Sequence, residues 1–221
     1  MNILIACEYS GIVRDAFIKA GHNAVSCDIL PTEKAGPHYQ GSVLDILDGG
    51  DWVEKWDMMI AHPPCTYLTV TGNKWFYHPD DKGPMDERRP HPKFPNRREQ
   101  REEAFEFFME LANAPIDKIA IENPVGIVSS RWRKPEQITC PTNFGHKEPK
   151  KTCLWLKGLP VLKPTEVMEP EYHTTKSGKR MPKWYAYADK SKGQAHRAKI
   201  RSATFQGLAD AMANQWGTNE Q

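Results

Sequence analysis

Short apolar runs that alternate with a helical pattern are the feature that most constrains the fold of this 221-residue chain. Residues 2–7 form an apolar run of strand length, and apolar side chains then recur at helical spacing over residues 12–20. The same order returns with a strand pattern at 57–61, a helical pattern at 97–113 and a strand pattern at 118–121. Strands that alternate with helices predict an α/β protein with a doubly wound, mostly parallel sheet.

Further strands and a closing helix complete the predicted fold. A short strand at 24–27 ends at Asp28, another is predicted at 43–44 before Asp45, and a third at 152–156. The last helix is predicted from apolar residues that recur at helical spacing near the end of the chain, namely Phe205, Leu208, Ala209, Met212, Ala213 and Trp216.

Composition excludes several broad classes of protein. Hydrophobic residues make up 39% of the chain and charged residues 26%, which is enough apolar material for a packed core and argues against disorder. No apolar run approaches the roughly 20 residues that a membrane-spanning helix needs. The first residues lack the basic region that opens a secretory signal. Five cysteines without regular spacing indicate reduced thiols, so we expect a cytoplasmic protein.

Charge is distributed unevenly along the chain although the net charge is only +2. Residues 1–73 carry a net charge of −5, residues 74–146 are neutral, residues 147–201 carry +9 and residues 202–221 carry −2. This asymmetry favours a polyanionic partner bound by the C-terminal half, with a solvated basic loop as the alternative.

The same patterns divide the chain into three parts. Residues 1–156 form the predicted core, and within it residues 71–96 hold five prolines and no periodicity, which predicts a long mobile loop. Residues 157–201 form a small insertion with 11 Lys and Arg residues. Residues 202–221 return to the core as the closing helix.

Two predicted strands run directly into residues that can do chemistry. The strand at 57–61 leads into a Pro-Pro-Cys turn that ends at Cys65, and the strand at 118–121 leads into Glu-Asn-Pro, which begins at Glu122. Proline stiffens the first turn, and a cysteine is an intrinsically strong nucleophile. We expect burial to raise the pKa of Glu122 so that it acts as an acid near neutral pH. A nucleophile and an acid therefore face one cleft.

These motifs, taken in order, resemble the cytosine-5 DNA methyltransferase family. Residues 9–13 (Tyr-Ser-Gly-Ile-Val) are similar to its Phe-x-Gly-x-Gly turn, residues 64–66 to its Pro-Cys motif and residues 122–124 to its Glu-Asn-Val motif. Residues 144–152 resemble the stretch that leads into its Gln-x-Arg-x-Arg strand. Only residues 157–201 remain for target recognition, which predicts short or relaxed sequence specificity. The compact size resembles phage or prophage members of the family, which implies a phage-encoded protein of the bacterial cytosol.

The resemblance implies the S-adenosylmethionine-dependent methyltransferase version of the Rossmann-like fold, with S-adenosylmethionine as cofactor. Asp28 and Asp45 stand where the family places acids near the ribose hydroxyls and the adenine amine. The residues implied to bind the cofactor are Tyr9, Ser10, Gly11, Asp28, Asp45 and Pro63.

The resemblance also implies a covalent mechanism on a cytosine. Cys65 attacks carbon 6, Glu122 contacts ring nitrogen 3 as the acid, and Lys150 helps to hold the base or Cys65. Carbon 5 then accepts the methyl group. The partner is double-stranded DNA whose target base is flipped out of the helix, because a stacked base cannot reach the thiol.

Basic residues in two segments are expected to contact this DNA. The loop at 71–96 would close over the flipped base, with a solvated loop that makes no contacts as the alternative. No membrane and no obligate protein partner is implied. The predicted nucleic-acid-binding residues are Arg88, Arg89, Lys93, Arg97, Arg98, Lys179, Arg180, Lys183 and Trp184.

Other functions remain open on the sequence. Cys140, His146 and Cys153, together with Cys65 or His173, are candidates for a zinc site, although they lack a paired Cys-x-x-Cys. A second alternative is a methyltransferase that acts on an exocyclic amine. Such an enzyme would carry Asp, Asn or Ser before Pro-Pro and an aromatic residue after it, whereas this chain has His62 and Cys65 there. The same chemistry on RNA, on a free nucleotide, or with another one-carbon unit is a further alternative. The last alternative is a catalytically inactive nucleic-acid-binding module.

Overall fold

A computed structural model describes residues 1–186 and 203–218 of the chain. Its main sheet has seven strands, and a separate hairpin has two. The seven strands are β1 (Asn2–Ala6), β2 (Asn23–Asp28), β3 (His38–Gln40), β4 (Met58–Ala61), β5 (Lys118–Asn123), β6 (Gln137–Thr139) and β7 (Thr152–Lys157), and the hairpin pairs β8 (Tyr172–Thr174) with β9 (Arg180–Pro182).

The order of the main sheet is β3-β2-β1-β4-β5-β7-β6. The pairs β2–β3, β1–β2, β1–β4 and β4–β5 are parallel, whereas β7 is antiparallel to both β5 and β6. Order 3-2-1-4-5 is the doubly wound, Rossmann-like arrangement, so the predicted fold class is confirmed.

Helices cover both faces of the sheet, which explains why its central strands are continuous apolar runs. In β1, Ile3 and Ile5 point to one face and Leu4 and Ala6 to the other. The first face packs against α1 and α5, and the second packs against α2. The helices are α1 (Ile12–Lys19), α2 (Arg97–Ala112), α3 (Val128–Arg131), α4 (Lys183–Ala186) and α5 (Gln206–Trp216).

The closing helix α5 has the predicted apolar face. Leu208, Met212 and Trp216 are buried against α1 and the sheet. The indole Nε1 of Trp216 donates a hydrogen bond to Pro160 O at 2.8 Å. This contact attaches the end of the described chain to the segment after β7.

The prediction of a strand at 43–44 was wrong. These residues belong to a 3-10 helix, Val43–Ile46, because Ser42 accepts a hydrogen bond from the backbone N–H of Leu44 and caps the turn. The strand beside β2 is β3, whose sequence His-Tyr-Gln is half-exposed at the sheet edge and carries no apolar run that could indicate it.

The two segments predicted to be irregular contain some structure. The loop at 71–96 overlaps a 3-10 helix, Val70–Trp75, and is closed by isolated bridges from Tyr77 to Pro90 and from His91 to Phe94. The basic insertion contains β8, β9 and α4, and its residues 187–201 lie outside the described part. Within that part, no helix is both long enough and apolar enough to cross a membrane.

Candidate active site

The active-site candidates meet because β4 and β5 are parallel neighbours. Ala61 pairs with Ile121 at the carboxyl ends of the two strands, so the residues that follow lie at the same edge of the sheet. One cavity at this edge is lined by Cys65, Glu122 and Lys150, the three predicted catalytic residues. Tyr9, Ser10 and Pro63, three of the predicted cofactor residues, line the same cavity.

Hydrogen bonds join the two turns into one unit. The buried amide of Asn123 donates to Pro63 O at 3.0 Å, which connects the Glu-Asn-Pro turn directly to the Pro-Pro-Cys turn. Beyond Cys65, the backbone N–H of Val70 donates to Val125 O at 3.2 Å. A Cβ at Gly126 would lie 2.0 Å from Leu68 O, so only glycine allows the two turns to approach this closely.

Two arginines of α2 hold the chain directly after Cys65. Arg97 donates to Thr66 O and Arg101 donates to Tyr67 O, both at 3.0 Å. Arg97 is 7% exposed, and its guanidinium stacks over aromatic rings of the 67–94 region. Its charge is thus largely buried in packing and in a backbone hydrogen bond, and its contact to phosphate stays a prediction.

Glu122 is held from three directions. Oε1 accepts a hydrogen bond from Thr152 Oγ1 at 2.5 Å, and His62 Nδ1 lies 3.5 Å from Oε2. Burial by itself would raise the pKa of Glu122, but the imidazole of His62, the charge of Lys150 and the Thr152 hydroxyl outweigh burial and lower it to about 2. The expected rise in this pKa was wrong, because sequence patterns did not show which partners surround the carboxyl group.

His62 is a site residue that the sequence reasoning did not assign. It lines the same cavity, and its side chain is 10% exposed. Both ring nitrogens are buried, and Nδ1 faces the Glu122 carboxylate. A signal was present in the sequence, since this histidine directly precedes the Pro-Pro-Cys turn.

The turn between β1 and α1 uses an internal carboxylate that was also missed. Cys7 adopts a left-handed φ of 58°, and Gly11, at the N-cap of α1, has a φ of 70°. Glu8 is buried and accepts hydrogen bonds from the backbone N–H groups of Val13, at 2.8 Å, and Arg14, at 3.2 Å. Backbone donors at the start of α1 are therefore occupied by the protein itself.

Gly11, Asp28 and Asp45 are not among the described residues that line the cavity. Asp28 ends β2 at the same edge of the sheet, and burial raises its pKa. Its Oδ1 accepts the N–H of Leu30 at 2.9 Å, while Asp45 accepts the Tyr39 hydroxyl at 3.2 Å. Ile29, which directly follows Asp28, is 75% exposed and offers an apolar surface.

The predicted phosphate-binding arginines of the loop have partners within it. Arg88 donates to Gly83 O at 2.7 Å, and Arg89 forms an ion pair with Asp81 at 2.6 Å. Arg98 donates to Arg88 O at 2.6 Å. Lys93 is exposed. These contacts order the loop and leave its binding to phosphate as a prediction.

The predicted residues of the basic insertion lie on the hairpin and on α4. Lys179 is exposed, and Arg180 stacks over Tyr172 with its guanidinium 4.0 Å from the ring centroid. Lys183 forms an ion pair with Glu171 at 2.9 Å, and Trp184 is half-buried beside it.

The candidate zinc ligands are not gathered into a site in the part of the chain that the structure describes. No group of three or more His, Cys, Asp or Glu side chains could hold a metal ion there. Cys140 Sγ lies 3.8 Å from Glu148 O, and Cys153 is buried in β7, where burial raises the pKa of its thiol.

No protein-family model and no curated protein matches this chain. Among solved structures, it is similar to a prophage-encoded DNA modification methyltransferase from E. coli (13% identity, 76% of this chain and 52% of that one, TM-score 0.45). Two others are a mutant DNMT2 from Spodoptera frugiperda (13% identity, 77% and 57%, TM-score 0.40) and the Dnmt2 methyltransferase of S. pombe (16%, 73% and 50%, TM-score 0.41). The chain therefore spans about half the length of these proteins, and its function has to be inferred from its own site.

Proposed function

We propose that this protein is an S-adenosylmethionine-dependent methyltransferase that methylates carbon 5 of cytosine in DNA through a covalent adduct with Cys65. One observation carries the proposal: a cysteine and a carboxylate, each at the end of one of two adjacent parallel strands, line one cavity together with Lys150. A thiol nucleophile and a carboxylate are the two groups that activation of a pyrimidine ring requires.

The charge of Glu122 favours cytosine over uracil. An ionised carboxylate accepts hydrogen bonds and donates none. Cytosine presents an exocyclic amine that donates to such a group, beside a ring nitrogen that becomes basic when the thiolate attacks. Uracil presents a carbonyl oxygen in the place of the amine, and two acceptors facing each other would repel.

The carboxyl ends of β1 and β2 carry side chains that suit S-adenosylmethionine. Since Glu8 already occupies donors at the start of α1, this turn does not offer them to a phosphate group as dinucleotide-binding turns do. A buried carboxylate suits a cationic ligand instead. Tyr9, Ser10 and Pro63 would hold the methionine part of S-adenosylmethionine, and Asp28 with Ile29 would hold its nucleoside. When bound, this cofactor supplies an electrophilic methyl group.

Each residue of the site has its own role toward the cytosine. The Pro-Pro-Cys turn, fixed by Asn123 and Arg97, presents the Cys65 thiol to carbon 6. Addition there removes the aromaticity of the ring and makes carbon 5 nucleophilic. Glu122 binds the exocyclic amine and stabilises the ring once nitrogen 3 is protonated. His62 and the charge of Lys150 together hold Glu122 ionised before the base arrives.

DNA as the substrate class rests on charge and on access to the thiol. Residues 147–201 carry a net charge of +9, and the exposed Lys93 lies on the loop that follows the Cys65 turn. Lysine and arginine side chains of this kind bind the phosphates of DNA. The target base, once flipped out of the helix, would enter the cavity that holds the Cys65 thiol.

The test is transfer of labelled methyl from S-adenosylmethionine to double-stranded DNA, followed by mass spectrometry of the released nucleosides. Wild type is expected to produce 5-methylcytosine, and Cys65→Ser is expected to produce none while keeping its fold and its affinity for S-adenosylmethionine. Cys140→Ser is the matched control, because that thiol does not line the described cavity.

Other products would change the proposal in defined ways. Label in RNA or in free cytidine nucleotides, with none in DNA, would replace the substrate class. A methylated amine that persists in Cys65→Ser would replace the mechanism. Failure of the wild-type protein to bind S-adenosylmethionine or to label any of these substrates would leave a nucleic-acid-binding module in place of an enzyme.

A further inference from the structure

His62 is a buried histidine in the candidate site to which the steps above assign no part in moving protons. Both of its ring nitrogens are buried, and a buried polar group needs a partner because leaving it unpaired costs free energy. It belongs to the stiff turn that carries Cys65, so its position is fixed relative to the nucleophile.

The neighbour that His62 faces is the carboxylate. Nδ1 lies 3.5 Å from Glu122 Oε2, while the other carboxylate oxygen is bound to Thr152. Because its ring nitrogens are buried, His62 acts through Glu122 and not on the base itself. The titratable groups around it in the cavity are Cys7, Glu8 and Tyr9 after β1, Cys65 after β4, Glu122 on β5 and Lys150 before β7.

We propose that His62 is a positioning residue that hands a proton to Glu122 when the base is attacked and takes it back when the product forms. The proposal rests on the proposed function and adds the source of the proton. A source is needed because the pKa of Glu122 lies at about 2, so this carboxyl group enters the reaction without a proton of its own. Imidazole is the side chain that exchanges a proton near neutral pH.

Proton and electron movements balance over the reaction. As Cys65 Sγ bonds to carbon 6, the electron pair of the carbon 5–carbon 6 double bond moves between carbons 4 and 5. The pair between carbon 4 and nitrogen 3 moves onto nitrogen 3, which takes a proton from Glu122. That proton comes from the imidazolium Nδ1 of His62, which passes it to Oε2 of Glu122, so Glu122 is ionised both before and after the step.

The return path uses the same atoms. When carbon 5 bonds to the methyl group with the pair it shared with carbon 4, the pair on nitrogen 3 re-forms the double bond to carbon 4. Carbon 5 then loses its proton to solvent, the double bond to carbon 6 re-forms, and the bond from carbon 6 to Sγ breaks with its pair on sulfur. Nitrogen 3 gives its proton back to Glu122, and Glu122 gives it to His62.

A comparison of His62→Asn with His62→Ala separates a proton relay from a packing role. The asparagine amide can place a donor near the position of Nδ1 and so can still orient Glu122, but it does not titrate. His22→Asn is the matched control, because His22 lies between α1 and β2, at the opposite edge of the sheet.

The measurement is the single-turnover rate of methyl transfer as a function of pH across the neutral range. For wild type and His22→Asn we expect a bell-shaped profile, because the reaction needs both a thiolate and a proton donor. His62→Asn should lose the falling limb and be roughly 10²-fold slower at neutral pH. A falling limb that persists in His62→Asn, with a rate near that of wild type, would overturn the relay.

The outcomes distinguish this proposal from the proposed function. If wild type methylates neither DNA, RNA nor nucleotides, the proposed function fails. If wild type is active and His62→Asn keeps its pH profile, only the role of His62 fails. Should both variants unfold, NMR of the wild-type His62 ring decides: a charged imidazole at neutral pH supports the relay, and a neutral one overturns it.

Discussion

At the residue scale, the most informative group is Glu122, whose charge state depends on residues far from it in sequence. Thr152 and His62 are brought to the carboxyl group by β7 and by the turn after β4, and Lys150 precedes β7. A carboxylate stabilised in this way contributes to folding as well as to chemistry, because its pKa differs between the folded and unfolded chain.

We therefore predict that stability falls in acid through Glu122. Its folded pKa of about 2 lies below the ordinary value of 4.5. The stabilisation is fully present above pH 4.5 and is lost as the pH falls toward 2, by up to a few kcal/mol. Urea denaturation of wild type and Glu122→Gln at several pH values measures this loss. The variant should lose less stability over this window, and parallel curves for the two proteins would contradict the prediction.

At the element scale, the site depends on how closely neighbouring turns pack. The turn after β4 and the turn after β5 touch along the backbone, where Gly126 faces Leu68 O. Each element alone is ordinary, and the position of Cys65 relative to Glu122 comes from their contact. Changes that separate the turns should affect activity more than overall stability.

Gly126→Ala tests this packing. The added Cβ would lie 2.0 Å from a backbone oxygen that cannot rotate away, so the Cys65 turn must shift. We expect methyl transfer to fall by at least roughly 10²-fold, because small displacements of catalytic groups carry large costs. Gly83→Ala is the control, since its Cβ would meet only the flexible Glu87 side chain at 3.8 Å. Equal activity of the two variants would contradict the prediction.

A second element-scale prediction concerns the loop after β2. Arg14 of α1 is fully buried and donates to Ser26 and Thr32 and to the carbonyl oxygens of Lys34 and Ala35. Arg14→Met leaves these acceptors without a partner and should lower the free energy of unfolding by about 3–5 kcal/mol. Thermal and urea denaturation measure the change. The control Lys19→Met, at an exposed position, should change the free energy of unfolding little. If Arg14→Met lost no more stability than this control, the buried hydrogen bonds of Arg14 would not hold the loop.

At the scale of the whole molecule, charge separates the sheet from its basic extension. Residues 1–73 have a net charge of −5 and residues 147–201 one of +9. A polyanion would approach the basic side first, and the hairpin of β8 and β9 presents Lys179 and Arg180 there. Binding driven by such contacts weakens as salt rises, because bound phosphates release counterions.

Replacement of both Lys179 and Arg180 by alanine should weaken DNA binding about equally for all sequences. The slope of log affinity against log salt concentration should become shallower by about 1.8, which is about 0.9 for each lost phosphate contact. Fluorescence anisotropy at several salt concentrations measures this slope. Lys19→Ala with Lys55→Ala, on the acidic part of the chain, is the control pair. An unchanged slope in the hairpin variant would remove this surface from the DNA interface.

Local patterns in the sequence were sufficient for most of the fold. Apolar runs and helical spacing predicted β1, β2, β4, β5, β7, α1, α2 and α5, because period and length are properties of neighbouring residues. They also placed Cys65 and Glu122 at the same sheet edge. The polar edge strand β3 and the hairpin of β8 and β9 left no such pattern, since half-exposed strands need no apolar run.

Only the tertiary structure determined the charge state of the site residues and the contacts that join them. The low pKa of Glu122, the burial of Arg97 and the approach of His62 to Oε2 all depend on contacts between segments that are distant in sequence. A pKa responds to the distances and solvent access of charged neighbours, and sequence order specifies neither. The sequence by itself thus determined which reactive residues meet at the carboxyl edge of the sheet, and packing determined in which protonation state and with which partners they meet.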